Sequence, residues 1–132
     1  MATCSNFLLH CMDFRIQQTV DDYLQQHGFM GDCDRVAYGG PCQEHELALH
    51  YIDLSIKIHD TKHIILSQHE DCGGYGGTAK WGSVEKEREV LLRDMRSLRK
   101  KVLVKHPSAR VSMVFVERDG DNWRAVEIQP DE

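Results

Sequence analysis

The feature that most restricts the fold is a short apolar run that stops abruptly. Ile64-Ile65-Leu66 leads into S-Q-H-E-D-C-G-G-Y-G-G at residues 67–77. An apolar run this brief, closed by a Gly-rich turn, predicts a buried strand over residues 64–68. His69 and Cys72 follow where the strand gives way to the turn, with two residues between them. An imidazole and a thiol at that spacing have the chemistry of metal ligands. Gly73, Gly74, Gly76 and Gly77 let the backbone bend closely around a small site.

The rest of the chain alternates in the same manner. Residues 6–12 (N-F-L-L-H-C-M) form a brief apolar run, read as the first strand. Residues 13–27 place Ile16, Val20, Tyr23 and Leu24 at helical spacing, with Gly28 as a stop. A second strand is predicted at 35–38, ended by Gly39-Gly40-Pro41. Residues 43–59 are dense in Leu and Ile and predict a helix packed on several sides. A third helix is predicted over 83–103. Ser83 is its candidate N-cap, Glu85 and Glu87 lie in its first turn, and Leu91, Met95, Leu98 and Val102 form one apolar stripe. Its basic residues read as a solvated face. Residues 111–116 predict a fourth strand, and Asp119-Gly120 turns the chain into an edge strand at 123–128. The alternation predicts a single α/β domain over 1–132. Its core is a mainly parallel four-stranded sheet flanked by helices, and a C-terminal hairpin adds an edge strand.

Charge and cysteine usage narrow the setting. Lys and Arg number 16 against 21 Asp and Glu, a net charge of −5, which argues against nucleic-acid or anionic-membrane partners. No apolar stretch approaches the roughly 20 residues of a membrane-spanning helix. No secretory leader pattern is evident, so a cytoplasmic location is expected. The five cysteines are an odd, scattered set, unlike a disulfide framework. Of these, Cys4, Cys33 and Cys42 are expected not to be ligands.

Ligands of a parallel sheet bind beyond the carboxyl ends of its strands. Cys11 ends the first strand, and His69 and Cys72 follow the third. If those strands are neighbours, the three side chains converge on a two-thiolate, one-imidazole site for Zn²⁺. Such a set leaves one tetrahedral position open, as catalytic zinc requires. Asp13 and Arg15 follow Cys11 at alternate positions, and extended geometry predicts that all three face one pocket. Arg15 can hold the Asp13 carboxylate through paired hydrogen bonds and keep it ionised. His10 is expected on the opposite face, and His45, His50 and His59 are remote candidates for a proton shuttle.

C-M-D-F-R at 11–15, followed by H-E-D-C-G-G at 69–74, resembles the β-class carbonic anhydrases, whose signature is C-x-D-x-R and then H-x-x-C-G. The resemblance spans roughly residues 6–77. It implies one Zn²⁺ per chain held by Cys11, His69 and Cys72. It also implies a catalytic dyad of Asp13 and Arg15, and reversible hydration of carbon dioxide to bicarbonate through zinc-bound hydroxide. A homodimer or a dimer-based assembly, with each site near the interface, is implied as well. In some members the aspartate matched by Asp13 takes the fourth zinc position. This chain departs from the pattern in three places. Few residues precede the first strand, so the family's N-terminal helical arm is expected to be missing. Val36-Ala37-Tyr38-Gly39-Gly40-Pro41 replaces an alanine-glycine-asparagine pattern. Gln68 stands where glycine commonly precedes the histidine. A compact, divergent branch is the expectation.

Other functions are compatible with the same residues. A zinc hydrolase of carbonyl sulfide or carbon disulfide would use this donor set, and so would a non-catalytic zinc-binding structural or regulatory protein. A thiol-redox pair of Cys11 and Cys72 is disfavoured by the absence of C-x-x-C.

Overall fold

The computed structural model describes residues 2–130. Strand β1 (Asn6–Cys11) leads through a 3-10 turn at Phe14–Ile16 into helix α1 (Gln17–Gln26). Strand β2 (Cys33–Tyr38), a second 3-10 turn at Pro41–Gln43 and helix α2 (His45–His59) follow. Strand β3 (His63–His69) ends at a 3-10 turn over Gly73–Tyr75 and a one-turn helix α3 (Thr78–Trp81). The long helix α4 (Val84–Lys105) then precedes the hairpin of β4 (Arg110–Asp119) and β5 (Asn122–Ile128).

The sheet order is β2-β1-β3-β4-β5. The first four strands run parallel, and β5 runs antiparallel to β4. The α/β class, the parallel sheet and the terminal hairpin expected from sequence are all present. β1 and β3 are neighbours, with Phe7 beside Ile64 and Leu9 beside Leu66. Their carboxyl ends therefore lie side by side, the condition for Cys11 to meet His69.

Burial explains why these runs are strands. Every residue of β1 and of β3 is buried, as expected where helices cover both faces of a parallel sheet. Phe7, Leu9, Ile64, Ile65 and Leu66 are wholly excluded from solvent. On α4, Leu91, Met95, Leu98 and Val102 bury the predicted stripe. Its N-cap is Ser83, whose hydroxyl accepts from the Lys86 amide at 3.2 Å.

Two elements differ from expectation. α1 begins at Gln17 rather than at residue 13, because the Asp13 side chain caps the preceding 3-10 turn. α2 packs one narrow face, Ala48, Ile52 and Ser55, rather than several. Leu47, Tyr51, Leu54 and Ile58 form an outward stripe on it, between 36 and 41% exposed. Apolar density alone cannot distinguish a helix buried all round from one with two separate apolar faces.

The turn after β3 rests on the loop after β2. A Cβ at Gly74 would lie 2.5 Å from the Gly40 nitrogen and 2.9 Å from the Gly39 carbonyl carbon. Both obstacles are backbone, so glycine is required there for the two loops to touch. Among the described residues, no helix is long and apolar enough to cross a membrane.

Candidate metal centre

The carboxyl ends of β1 and β3 bring three donors together. Cys11 is the last residue of β1, His69 is the last of β3, and the following turn folds Cys72 back toward them. The two sulfurs are 3.9 Å apart. All three donor atoms lie within 4.8 Å of one another, and all three residues are buried. Zn–S bonds of about 2.3 Å at the tetrahedral angle put two sulfurs about 3.8 Å apart. A disulfide would need about 2.05 Å, and all five cysteines are free.

The histidine is oriented for the same task. Its Nδ1–H donates to the Glu70 carbonyl at 2.7 Å. That bond leaves Nε2 as the lone-pair nitrogen, the arrangement found in metal-ligating histidines. Nε2 is buried and has no hydrogen-bond partner. An orphaned imidazole nitrogen beside two thiols at tetrahedral spacing fits Zn²⁺ in donor type and in geometry.

Electrostatics in this pocket favour one deprotonated sulfur, that of Cys11. The hydrogen bond shared with Cys72 pulls the Cys11 thiol down to about 4, against the effect of burial. The same sharing, reinforced by burial, holds the Cys72 thiol up. Burial alone would lower the His69 pKa, but the Cys11 sulfur, with Asp13 adding to it, raises it overall.

Asp13 and Arg15 stand beside the donors. The Asp13 carboxylate accepts from the Arg15 backbone amide at 2.9 Å, from Nε at 3.1 and 3.2 Å, and from Nη2 at 2.7 Å. Those bonds from Arg15 lower its pKa. Asp13 Oδ2 lies 3.8 Å from His69 Nε2. The pair thus faces the site as expected, though not through strand alternation. The strand ends at Cys11, and the pair is set by a capped 3-10 turn. Gln17 ties that turn down by donating to the carbonyls of Cys11 at 3.1 Å and Asp13 at 2.8 Å.

Sequence reasoning missed a second anchor. Asp71 has φ +58°, a left-handed conformation uncommon outside glycine. There its Oδ2 accepts from Arg15 Nη1 at 3.1 Å and its carbonyl accepts from Nη2 at 2.9 Å. Its Oδ1 accepts from the Thr78 amide at 3.0 Å. The fully buried Glu87 completes the brace, accepting from the Asp71 amide at 3.0 Å and the Thr78 hydroxyl at 2.9 Å. Arg15 is therefore clamped between two carboxylates. The Thr78 amide, then Arg15, lower the Asp71 pKa to about 2. Such a depressed carboxylate stabilises the fold above its ordinary pKa of about 3.9 and loses that contribution as pH falls through about 2. Asp71→Asn is expected to lose less stability than the parent between about pH 4 and about pH 2. Denaturant melts at each pH check this.

The remaining wall comes from the hairpin. The Trp123 ring meets His69 edge-on at 6.0 Å between centroids. Arg15 and Arg118 lie over the same indole, at 5.4 and 4.5 Å. Met12 and Phe14 flank Asp13 in sequence and are 66 and 85% exposed. Other singled-out residues lie elsewhere. His10 is buried with Nδ1 against the Cys11 carbonyl, and the Cys42 sulfur lies against the Ser67 carbonyl. Tyr75 is a core residue whose hydroxyl donates to Asp94 at 2.8 Å. Gln68 braces the core by donating to Tyr75 and the Leu91 carbonyl and accepting from the Cys42 amide.

A mostly parallel sheet in this order, closed by a C-terminal hairpin, is a β-carbonic-anhydrase-like fold. The chain belongs to the family described as "Putative carbonic anhydrase", whose family model matches residues 1–129. It is similar to the β-carbonic anhydrase CafD of Aspergillus fumigatus, with a TM-score of 0.63, 10% identity, and 98% of this chain and 91% of that one covered. The β-carbonic anhydrase CafA of the same fungus gives 0.63 and 13%, covering 99 and 78%. A carbonic anhydrase from Glaciozyma antarctica gives 0.58 and 17%, covering 95 and 83%. At these identities the likeness shows shared fold. An uncharacterised protein of Rickettsia bellii (strain RML369-C) is 27% identical over 128 residues, covering 88% of this chain and 78% of its own.

Proposed function

We propose that the protein is a zinc-dependent carbonic anhydrase that hydrates carbon dioxide reversibly to bicarbonate. The observation that carries this reading is the unpartnered His69 Nε2, beside two sulfurs 3.9 Å apart and 3.8 Å from the Asp13 carboxylate. Cys11, His69 and Cys72 would hold one Zn²⁺ per chain. When bound, the ion supplies Lewis acidity that lets water ionise near neutral pH.

The chain's own groups do the rest. Asp13 accepts a hydrogen bond from the attacking oxygen and aims its lone pair at the carbon of carbon dioxide. Arg15 keeps Asp13 ionised and immobile, so that this orientation costs little at the moment of attack. Asp71, through Glu87 and Thr78, keeps Arg15 in place. Trp123 supplies an apolar wall against which a small uncharged substrate can rest and limits access of bulk water. The next proton leaves to buffer.

The decisive experiment measures zinc and stopped-flow hydration on one preparation. One zinc per chain, with activity lost on chelation and restored by zinc, is expected. Full zinc occupancy without hydration would sink the proposal, and sulfide release in its place would point to carbonyl sulfide or carbon disulfide.

The reading extends to a homodimer. Two large apolar side chains on either side of Asp13 in sequence, Met12 and Phe14, stand exposed, and a second copy covering them would remove that surface from water. Light scattering is expected to give twice the 15.2 kDa chain mass. Phe14→Glu is expected to reduce it to one chain.

A further inference from the structure

A second set of metal-binding donors lies at the other end of the sheet. Cys4 precedes β1, Asp34 stands near the start of β2, and His59 is the last residue of α2. A sulfur, a carboxylate oxygen and an imidazole nitrogen from these three lie within 4.8 Å of one another. β1 alone runs from Asn6 to Cys11, about 17 Å at about 3.3 Å per residue, and Cys4 lies before its start. The cluster is therefore separate from the candidate catalytic centre. We propose that Cys4, Asp34 and His59 form a second site for a zinc-class divalent cation, pinning the N-terminal segment to edge strand β2 and to the end of α2.

The donor set decides the class of ion. Thiolate, imidazole and carboxylate together suit Zn²⁺ and Co²⁺, whereas Mg²⁺ and Ca²⁺ take oxygen ligands. Charge argues the same way. Two cationic side chains near these residues in sequence are paired elsewhere, Arg35 with Asp21 at 2.7 Å and Lys62 with Asp60 at 2.9 Å. Asp34 is met by His59 Nδ1 and by the Ser55 hydroxyl, each at 2.7 Å. The C-terminus of the fifteen-residue α2 adds partial negative charge beside His59.

The surroundings resemble an outer shell. Ser55 and Thr61 hydroxyls bond to each other at 2.7 Å, and Ser55 donates to the Asp34 carboxylate, fixing its orientation as second-layer groups do around bound metals. The Cys4 sulfur lies 3.6 Å from the Thr61 hydroxyl, and the Cys4 amide donates to the His59 carbonyl at 3.1 Å. A cleft of about 200 Å³ bordered by Tyr51, Leu54 and Ile58 opens beside Asp34 and His59 and gives an ion a way in. Insertion needs the Asp34–His59 contact to widen to about 3.3 Å, the spacing of two ligands on tetrahedral zinc. That is a side-chain adjustment.

The test is equilibrium dialysis of the full chain against Co²⁺, with cobalt counted and the thiolate-to-cobalt charge-transfer band recorded. Two equivalents are expected in the parent. Cys4→Ser and His59→Gln should each bind one equivalent, Cys4→Ser with carbon dioxide hydration unchanged. Cys4→Ser should also lose about one third of the charge-transfer intensity, since three thiolates become two. A single parent equivalent that Cys72→Ser removes and Cys4→Ser keeps overturns this site. A second equivalent retained by both His59→Gln and Cys4→Ser overturns it equally. A single equivalent that Cys4→Ser removes and Cys72→Ser keeps upholds it while refuting the catalytic centre, so the two readings fail separately.

Discussion

Cys72→Ser is expected to empty the catalytic metal site and remove hydration activity. Cys72 is fully buried, and its sulfur is 3.9 Å from that of Cys11. Serine fills nearly the same space, so the turn can still close, but a hydroxyl does not ionise as a thiol does. Structural zinc sites bind with about 10–16 kcal/mol shared over four ligands, or about 3 kcal/mol per ligand. Losing one ligand should therefore weaken affinity by roughly 100-fold or more. The variant should lose its catalytic zinc on dialysis against a mild chelator that leaves the parent loaded, and hydration should fall to background. Circular dichroism should show the helices and sheet retained. Unchanged zinc affinity in a folded variant would remove Cys72 from the ligand set.

The second large effect belongs to Asp13→Asn, which should retain zinc and lose turnover by roughly 100-fold. The substituted side chain would have one accepting oxygen, whereas the aspartate takes four hydrogen bonds from Arg15 through two. An amide turned toward Arg15 would present N–H groups to a donor, so the side chain must rotate or leave a bond unmade. Either way it can no longer both satisfy Arg15 and accept from the attacking oxygen. Arg15 should stay in place, because its bonds to Asp71 do not depend on residue 13. The expected signature is a lowered kcat with one zinc per chain at the catalytic site. Normal turnover with normal zinc would count against Asp13 as the orienting group.

Much of the site could be read from the chain because its donors are tied to strand ends. Ile64-Ile65-Leu66 marks a buried strand, and His69 and Cys72 follow at a fixed offset. Adjacency of β1 and β3 could not be read, since it depends on the sheet order β2-β1-β3-β4-β5. Asp71 could not be assigned either. It lies between two candidate ligands in H-E-D-C, and its partner Arg15 is 56 residues away. Only the left-handed turn at Asp71 brings them together, and no periodicity encodes that. Glu87 misled for a related reason. In sequence it is a first-turn acid suited to the helix dipole, yet α4 turns it inward to hold the Asp71 amide. On α2, the heavy apolar content was legible but its division into a buried face and an outward stripe was not.

The indole that roofs His69 is carried by β5, which pairs with β4 alone among the described strands. One wall of the site therefore hangs on an edge strand with a single neighbour, as β2 is at the opposite edge. Fraying there would bring water toward the imidazole. Sequence drift in this outermost ribbon can thus reshape the wall beside His69 without replacing a single donor atom.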